Sequence, residues 1–182
     1  MAILNVVEWP AKVLETRANE VAVFDGELRQ FVSDMFDTME KAGGIGLAAN
    51  QVDRLVRVLV IHISSKNEEP EDIRDWHDKK YVFINPSITR KQGKTKYLEG
   101  CLSFPEQYDY VDRAAEVTLV YKDEWGKDHS LEADGLFAIC LQHELDHIDG
   151  VVFTSRMSRL KSSRIRKKML QRSQISEMDE EG

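Results

Sequence analysis

The chain has 182 residues, 42% hydrophobic and 31% charged, with a formal net charge of −7. That length suits one compact domain with a sizeable core, and the composition is that of a globular protein rather than a disordered one. No apolar run approaches the roughly 18 residues of a spanning helix, the acidity argues against polyanion binding by the chain as a whole, and two cysteines are too few for a secreted disulfide scaffold.

Residues 1–20 lack a long apolar stretch and carry acids early, at Glu8 and Glu15. The expectation is therefore no signal or transit peptide and a cytoplasmic location. Cys101 and Cys140 are expected as buried free or metal-bound thiols rather than as a disulfide. Charge is unevenly spread: residues 154–174 hold eight Lys or Arg and no acid, whereas residues 1–153 hold 28 acids and 17 bases.

Along the chain, Asp25 precedes Leu28, Phe31, Val32, Met35, Phe36 and Met39. Their spacing predicts an amphipathic helix with an acidic N-cap, stopped by Gly43 and Gly44. Val56 to His62 is a β-branched apolar run and predicts a strand. Ser64 to Lys80 has ten charges in 17 residues and predicts a solvated loop, with Trp76 its only aromatic. Tyr81 to Asn85 predicts a second strand, ended by Pro86. Val117 to Tyr121 and His129 to Glu132 predict a hairpin across Glu124-Trp125-Gly126. Gly135 to Asp149 has helical spacing and stops at Gly150, and a last helix is expected from about Ser158 to Ser173. The fold class is α+β, with antiparallel strands around a central helix and a further helix at the C-terminus. One catalytic domain is expected over residues 1–182, with a basic helix at about 154–174 and a flexible acidic tail at 175–182.

The central helix carries His143-Glu144-Leu145-Asp146-His147, an H-E-x-x-H motif. Residues four apart share a helix face, so the two imidazoles can grip one ion, and Glu144, one residue on, suits a base for an attacking water. A catalytic site needs a third protein ligand and an open position. Cys140 is about 10 Å along the helix from His147 at the standard rise, too far for one ion to reach both, and reads as core. The longer metzincin pattern would need histidine where Phe153 stands. Glu177 lies in the acidic tail, and His62, His77 and His129 are scattered, each reading as a plain surface or strand histidine. Cys101 remains, in Glu99-Gly100-Cys101-Leu102-Ser103, where a glycine leaves room for close approach. A His₂Cys set is compatible with zinc, and imidazole also suits iron and nickel.

Three segments together resemble the signature motifs of the peptide deformylase family, in the right order: Gly44-Ile45-Gly46-Leu47-Ala48-Ala49-Asn50-Gln51, Glu99-Gly100-Cys101-Leu102-Ser103, and Gln142-His143-Glu144-Leu145-Asp146-His147. The likeness extends over nearly the whole chain and is closest to the bacterial class with a long C-terminal helix. It implies removal of the formyl group from the N-terminal methionine of nascent proteins. It implies Cys101, His143 and His147 as metal ligands and Glu144 as acid–base, with Gln51 and the backbone N–H of Leu102 binding the oxyanion. Ile45 and Gly100 would pair with the substrate backbone beside Gly46, and Ile45, Leu136, Ile139 and Cys140 would line the methionine pocket. The implied cofactor is one divalent ion, Fe(II), with zinc, nickel or cobalt able to take its place. The implied partners are N-formylmethionyl peptides and, through the basic helix from Arg156 to Arg172, the ribosome; neither a membrane nor a specific DNA site is expected. Many bacterial members have arginine where this chain has Tyr108, which bears on how the peptide beyond methionine is held. The loop Ser64 to Lys80 is longer than usual.

Two other function classes use the same residues. A zinc endopeptidase would use the same helix but cleave internal bonds. A nucleic-acid-binding module with a structural metal would need a closed four-ligand site, for which the sequence shows no fourth protein ligand.

Overall fold

In the computed structural model, which describes the backbone of residues 2–66 and 68–180 and their side chains through Ile175, Asp25 opens helix α1 (Gly26–Lys41). Its Oδ1 accepts the Leu28 N–H at 3.0 Å, the capping geometry that satisfies a first-turn donor. Gly43 closes the helix in the left-handed region, at φ 71°, and Gly44 N–H reaches back to the Met39 carbonyl.

Five antiparallel strands form the main sheet in the order β1 (Gly46–Ala48), β2 (Val58–His62), β3 (Lys80–Gln92), β6 (Glu116–Lys122), β7 (Asp128–Asp134). Strand β2 is apolar without alternation because both its faces are covered. Leu59 and Ile61 pack with Phe137, Leu141 and Leu145 of helix α2 (Gly135–Ile148). Val58 and Val60 pack with Phe31, Met35 and Met39 of α1 on the other side. The sheet is thus held between two helices, and α2 is buried from Phe137 to Ile148. That burial encloses Gln142, His143, Glu144, Asp146 and His147, polar groups that need partners inside the protein.

A separate two-stranded sheet, β4 (Thr95–Cys101) and β5 (Phe104–Arg113), was not legible from the sequence pattern. It packs through Phe104 and Val111 onto Trp9, Phe153 and the buried Ile165 and Met169 of helix α3 (Arg159–Glu180).

Several boundaries differ from the sequence reading. The strand expected to end at Pro86 continues to Gln92. Pro86 falls in a register shift between Ile84 and Ser87, where a missing ladder donor costs nothing. Asn85 beside it adopts φ 51° and exchanges two hydrogen bonds with the Val21 backbone, at 2.8 and 2.9 Å. The strand predicted from Val56 begins at Val58. The last helix runs to Glu180, so the backbone of residues 175–180, expected as a flexible tail, is helical; residues 181–182 and the side chains from 176 on lie outside the described residues. The charged loop is not wholly solvated either: Trp76 stacks on Phe137 at 5.7 Å, and His77 is buried, accepting the Arg74 N–H.

Candidate metal centre and cleft

Helix α2 supplies His143 and His147 one turn apart, and the end of β4 supplies Cys101. One ligand atom from each of the three lies within 4.8 Å of the other two. Cys101 Sγ is 3.2 Å from His147 Nε2. His143 Nδ1 is 2.8 Å from Glu99 Oε2, which leaves its Nε2 for the shared site. Burial holds the His147 ring well below the usual imidazole range, so it is neutral. Burial pushes the His143 ring down as well, but its hydrogen bonds with Cys101 and Glu99 overcome that and hold it well above the usual range, so metal binding there would displace a proton. A thiol and two imidazoles are donors a divalent transition metal takes, and the three-atom cluster fits one. Cys140 lies outside the cluster.

Glu99 is held in turn. Arg113 donates to it through Nε at 2.7 Å and a terminal nitrogen at 3.0 Å. Arg113 also donates to Asp146, and Asp146 accepts two bonds from Arg156, at 2.6 and 3.0 Å. A chain of charged partners therefore runs from a ring of the cluster to the turn before α3. Burial alone would raise the Glu99 carboxyl, but the hydrogen bonds from Arg113 and His143 overcome it and hold the group down at about 2. Glu99 and Asp146 stand inside the quoted motifs, yet the sequence reading gave them no role. Arg113 carried no local signal at all.

Glu144 is buried, and its Oε2 has no hydrogen-bond partner. Burial pushes its carboxyl up to about 7, against the pull of the adjacent His143. Gly46 is what makes room for it: a Cβ there would lie 2.6 Å from Glu144 Oε1 and 2.7 Å from Cys140 Sγ. Gln51 is fixed by the Ala48 N–H, which its Oε1 accepts at 2.9 Å. Its amide nitrogen therefore points at Ser103 Oγ, 3.3 Å away, and at Cys101 Sγ, 3.7 Å away.

A cleft of about 400 Å³ opens above this cluster. It brings together Ile45, Gly46, Gln51, Gly100, Cys101, Leu102, Leu136, Ile139, Cys140, His143 and Glu144, so every residue singled out from the sequence lines it except His147, which lies beneath. Tyr97, Leu98 and Tyr108 line it too; as exposed positions on a hairpin not read from sequence, Tyr97 and Leu98 gave no signal. Tyr108 faces Gly100 across the β4–β5 pair, with its ring lying where a Cβ would stand. Both cysteines are free.

The other histidines are accounted for elsewhere: His62 on β2 contacts Glu40, and His129 on β7 contacts Asp123. No helix of the described residues is long and apolar enough to cross a membrane.

Comparison with known proteins points the same way. The sequence model of the polypeptide deformylase family matches residues 3–163. A peptide deformylase of Chromobacterium violaceum is 49% identical over 172 residues, covering 94% of this chain and 97% of that protein. One of Neisseria gonorrhoeae is 47% identical over the same coverage. The crystal structure of a peptide deformylase from Legionella pneumophila superposes with a TM-score of 0.84 at 37% identity, over 96% of this chain and 98% of that one. That of Ehrlichia chaffeensis in complex with actinonin gives 0.86 at 36% identity, over 94% of this chain and 98% of that one. The chain belongs to the polypeptide deformylase family of enzymes.

Proposed function

We propose that the protein hydrolyses the formamide of N-formylmethionyl peptides, as one catalytic domain spanning the chain, in the cytoplasm. The observation that carries this reading is convergence: a buried carboxyl without a hydrogen-bond partner at Oε2, an aimed amide N–H and a three-donor metal cluster all meet at one cleft.

Cys101, His143 and His147 would hold the ion. Fe(II) is the expected metal, with zinc, nickel or cobalt able to replace it. When bound, such an ion lowers the pKa of water and polarises a carbonyl. The protein's own groups do the rest. Glu144 accepts the proton of the attacking water on its carboxylate and delivers it to the departing amine; a carboxyl poised near neutral pH suits both steps. Gln51 Nε2 and the Leu102 backbone N–H donate to the oxygen as negative charge grows there. One such donor is worth about 3–4 kcal/mol.

Substrate fit follows from the two walls. Strand β1 is the open edge of the main sheet, and β4 is an edge of the small one. An extended peptide lying between them pairs with Ile45 and Gly100 through its main chain, beside Gly46, while its first side chain enters the apolar end lined by Leu136, Ile139 and Cys140. Tyr108 then stands beside the peptide beyond methionine. Glu144 and Cys140 both lie hard against Gly46, so the site has little room beside the base, and a formyl group, bearing only hydrogen, fits it.

The basic segment from Arg156 to Arg172 is proposed to dock on the ribosome. Five of its cations already pair with acids of the body: Arg156 with Asp146, Lys161 and Arg164 with Asp109, Arg166 with Glu15, Arg172 with Glu8. Arg159, Lys167 and Lys168 carry the docking.

The deciding experiment is formate release from formyl-Met-Ala-Ser under anaerobic conditions, with metal content measured on the same sample and casein as a control. Casein cleavage without formate release would favour an endopeptidase instead.

A further inference from the structure

A different face of α2 borders a second, larger cleft of about 900 Å³. Seven cations and three carboxylates line it, in a chain whose net charge is −7. Three of the cations are already neutralised, two of them buried and one exposed: buried Arg57 by Asp149 at 2.7 Å, buried Arg113 by Glu99 and Asp146, and exposed Arg156 by Asp146 at 2.6 Å. The other four, Arg17, Lys91, Lys94 and Lys96, are exposed on its rim. Lys96 faces Asp112 only across 3.8 Å of solvent-exposed surface. Arg17, Lys91 and Lys94 make no ion pair among the described residues. The turn at Gly93, with φ 68°, joins β3 of the main sheet to β4 of the small one, and Lys91, Lys94 and Lys96 flank that turn.

The positive charge of this protein is therefore sorted. Most of the basic helix is spent on holding α3 to the body, whereas the rim of this cleft keeps its charge for something else. No aromatic side chain lines the cleft, so nothing there stacks a base or holds a free nucleotide by its ring. Its apolar members are few: Leu145 and Pro86 are buried, and Ile88 and Ala114 are half-buried, so it offers a peptide little side-chain anchorage. It does offer four exposed cations along an open groove, three of them without an ion pair among the described residues, and cations so placed are how proteins take hold of a phosphodiester backbone without reading sequence. We propose that the Arg17–Lys91–Lys94–Lys96 cleft is a contact surface for the phosphate backbone of folded RNA.

The inference rests on charge placement alone and is independent of the proposed deformylation. Fluorescence anisotropy of two labelled RNA duplexes of unrelated sequence tests it, using the metal-loaded full chain. Three proteins are compared: wild type, Lys91→Glu/Lys94→Glu/Lys96→Glu, and Arg159→Glu/Lys167→Glu/Lys168→Glu as a helix control. Wild type should bind both duplexes equally, with Kd of about 1–100 μM at physiological salt and tighter below it. The rim variant should lose at least about tenfold in affinity, and its slope of log K against log salt should shrink by about 2–3. The helix control should lose less than about threefold, and formyl-Met-Ala-Ser turnover and melting temperature should be unchanged in the rim variant. Duplex binding that survives in the rim variant, or falls equally in the helix control, would overturn the proposal. Displacement of RNA by poly-glutamate at equal charge concentration would overturn it too, in favour of an acidic protein partner.

Discussion

Glu99 Oε2 sits 2.8 Å from His143 Nδ1, inside a protein where both groups are buried. The carboxylate fixes which ring nitrogen turns toward Cys101 and His147, and makes that nitrogen a better donor. Because Arg113 holds Glu99 from the other side, the ring cannot rotate without breaking a charged hydrogen bond.

Replacing this support should therefore cost metal before it costs fold. Glu99→Gln removes the charge but keeps the shape, and is expected to weaken metal retention and activity by about 10–100-fold. Competition against a chelator of known affinity measures it. Retention equal to wild type would show that His143 is oriented by packing alone.

Cys101 and Glu144 should separate binding from chemistry. Cys101→Ser is expected to lose metal on dialysis. Glu144→Ala is expected to keep metal and lose about 10²–10⁴-fold in turnover, the range for a positioned acid–base group. Metal analysis and the formyl-peptide assay on both variants check this, and full activity in Glu144→Ala would remove its assignment as base.

How much of this was readable beforehand depends on the distance over which a signal acts. His143 and His147 share a face because of the helix period, so their pairing is local and legible. The ends of α1 and α2 were legible for the same reason, through Asp25, Gly43 and Gly150. The β4–β5 hairpin was not: buried charges at Asp109 and Arg113 break the alternation that marks a strand, and Tyr97, Leu98, Tyr108 and Tyr110 are exposed where apolar residues usually signal a core. The support chain from Glu99 through Arg113 and Asp146 to Arg156 joins four separate segments, and no window of sequence contains it. Tertiary packing likewise overrode Pro86 as a strand terminator, because a bulge absorbed it.

The glycines at 43 and 46 should behave oppositely. At Gly43 nothing lies within 4 Å of an added Cβ, but φ is 71°. Gly43→Ala should cost about 1 kcal/mol of stability through backbone strain and leave turnover unchanged. At Gly46 the added carbon meets Glu144 and Cys140 below 3 Å. Gly46→Ala should cost about 1–3 kcal/mol by overpacking and should also depress turnover, since Glu144, the proposed base, must move. Thermal melts paired with the peptide assay check both; equal turnover in the two variants would deny Gly46 its place beside the base.

Acid should reveal what Glu99 contributes to stability. Its folded-state pKa is depressed to about 2 from an ordinary value of 4.5. A carboxyl shifted this way stabilises the fold fully above its unfolded pKa and loses that contribution as pH falls through the folded one. The relevant window is therefore about pH 4.5 down to about 2. The full effect of such a shift is on the order of 3 kcal/mol. In chelator-treated protein, the difference in unfolding free energy between wild type and Glu99→Gln should shrink steadily as pH falls from about 4.5 toward 2. Urea titrations at a series of pH values measure this, and a difference that stays flat down to pH 2.5 would mean that Arg113 and His143 do not hold the carboxylate ionised.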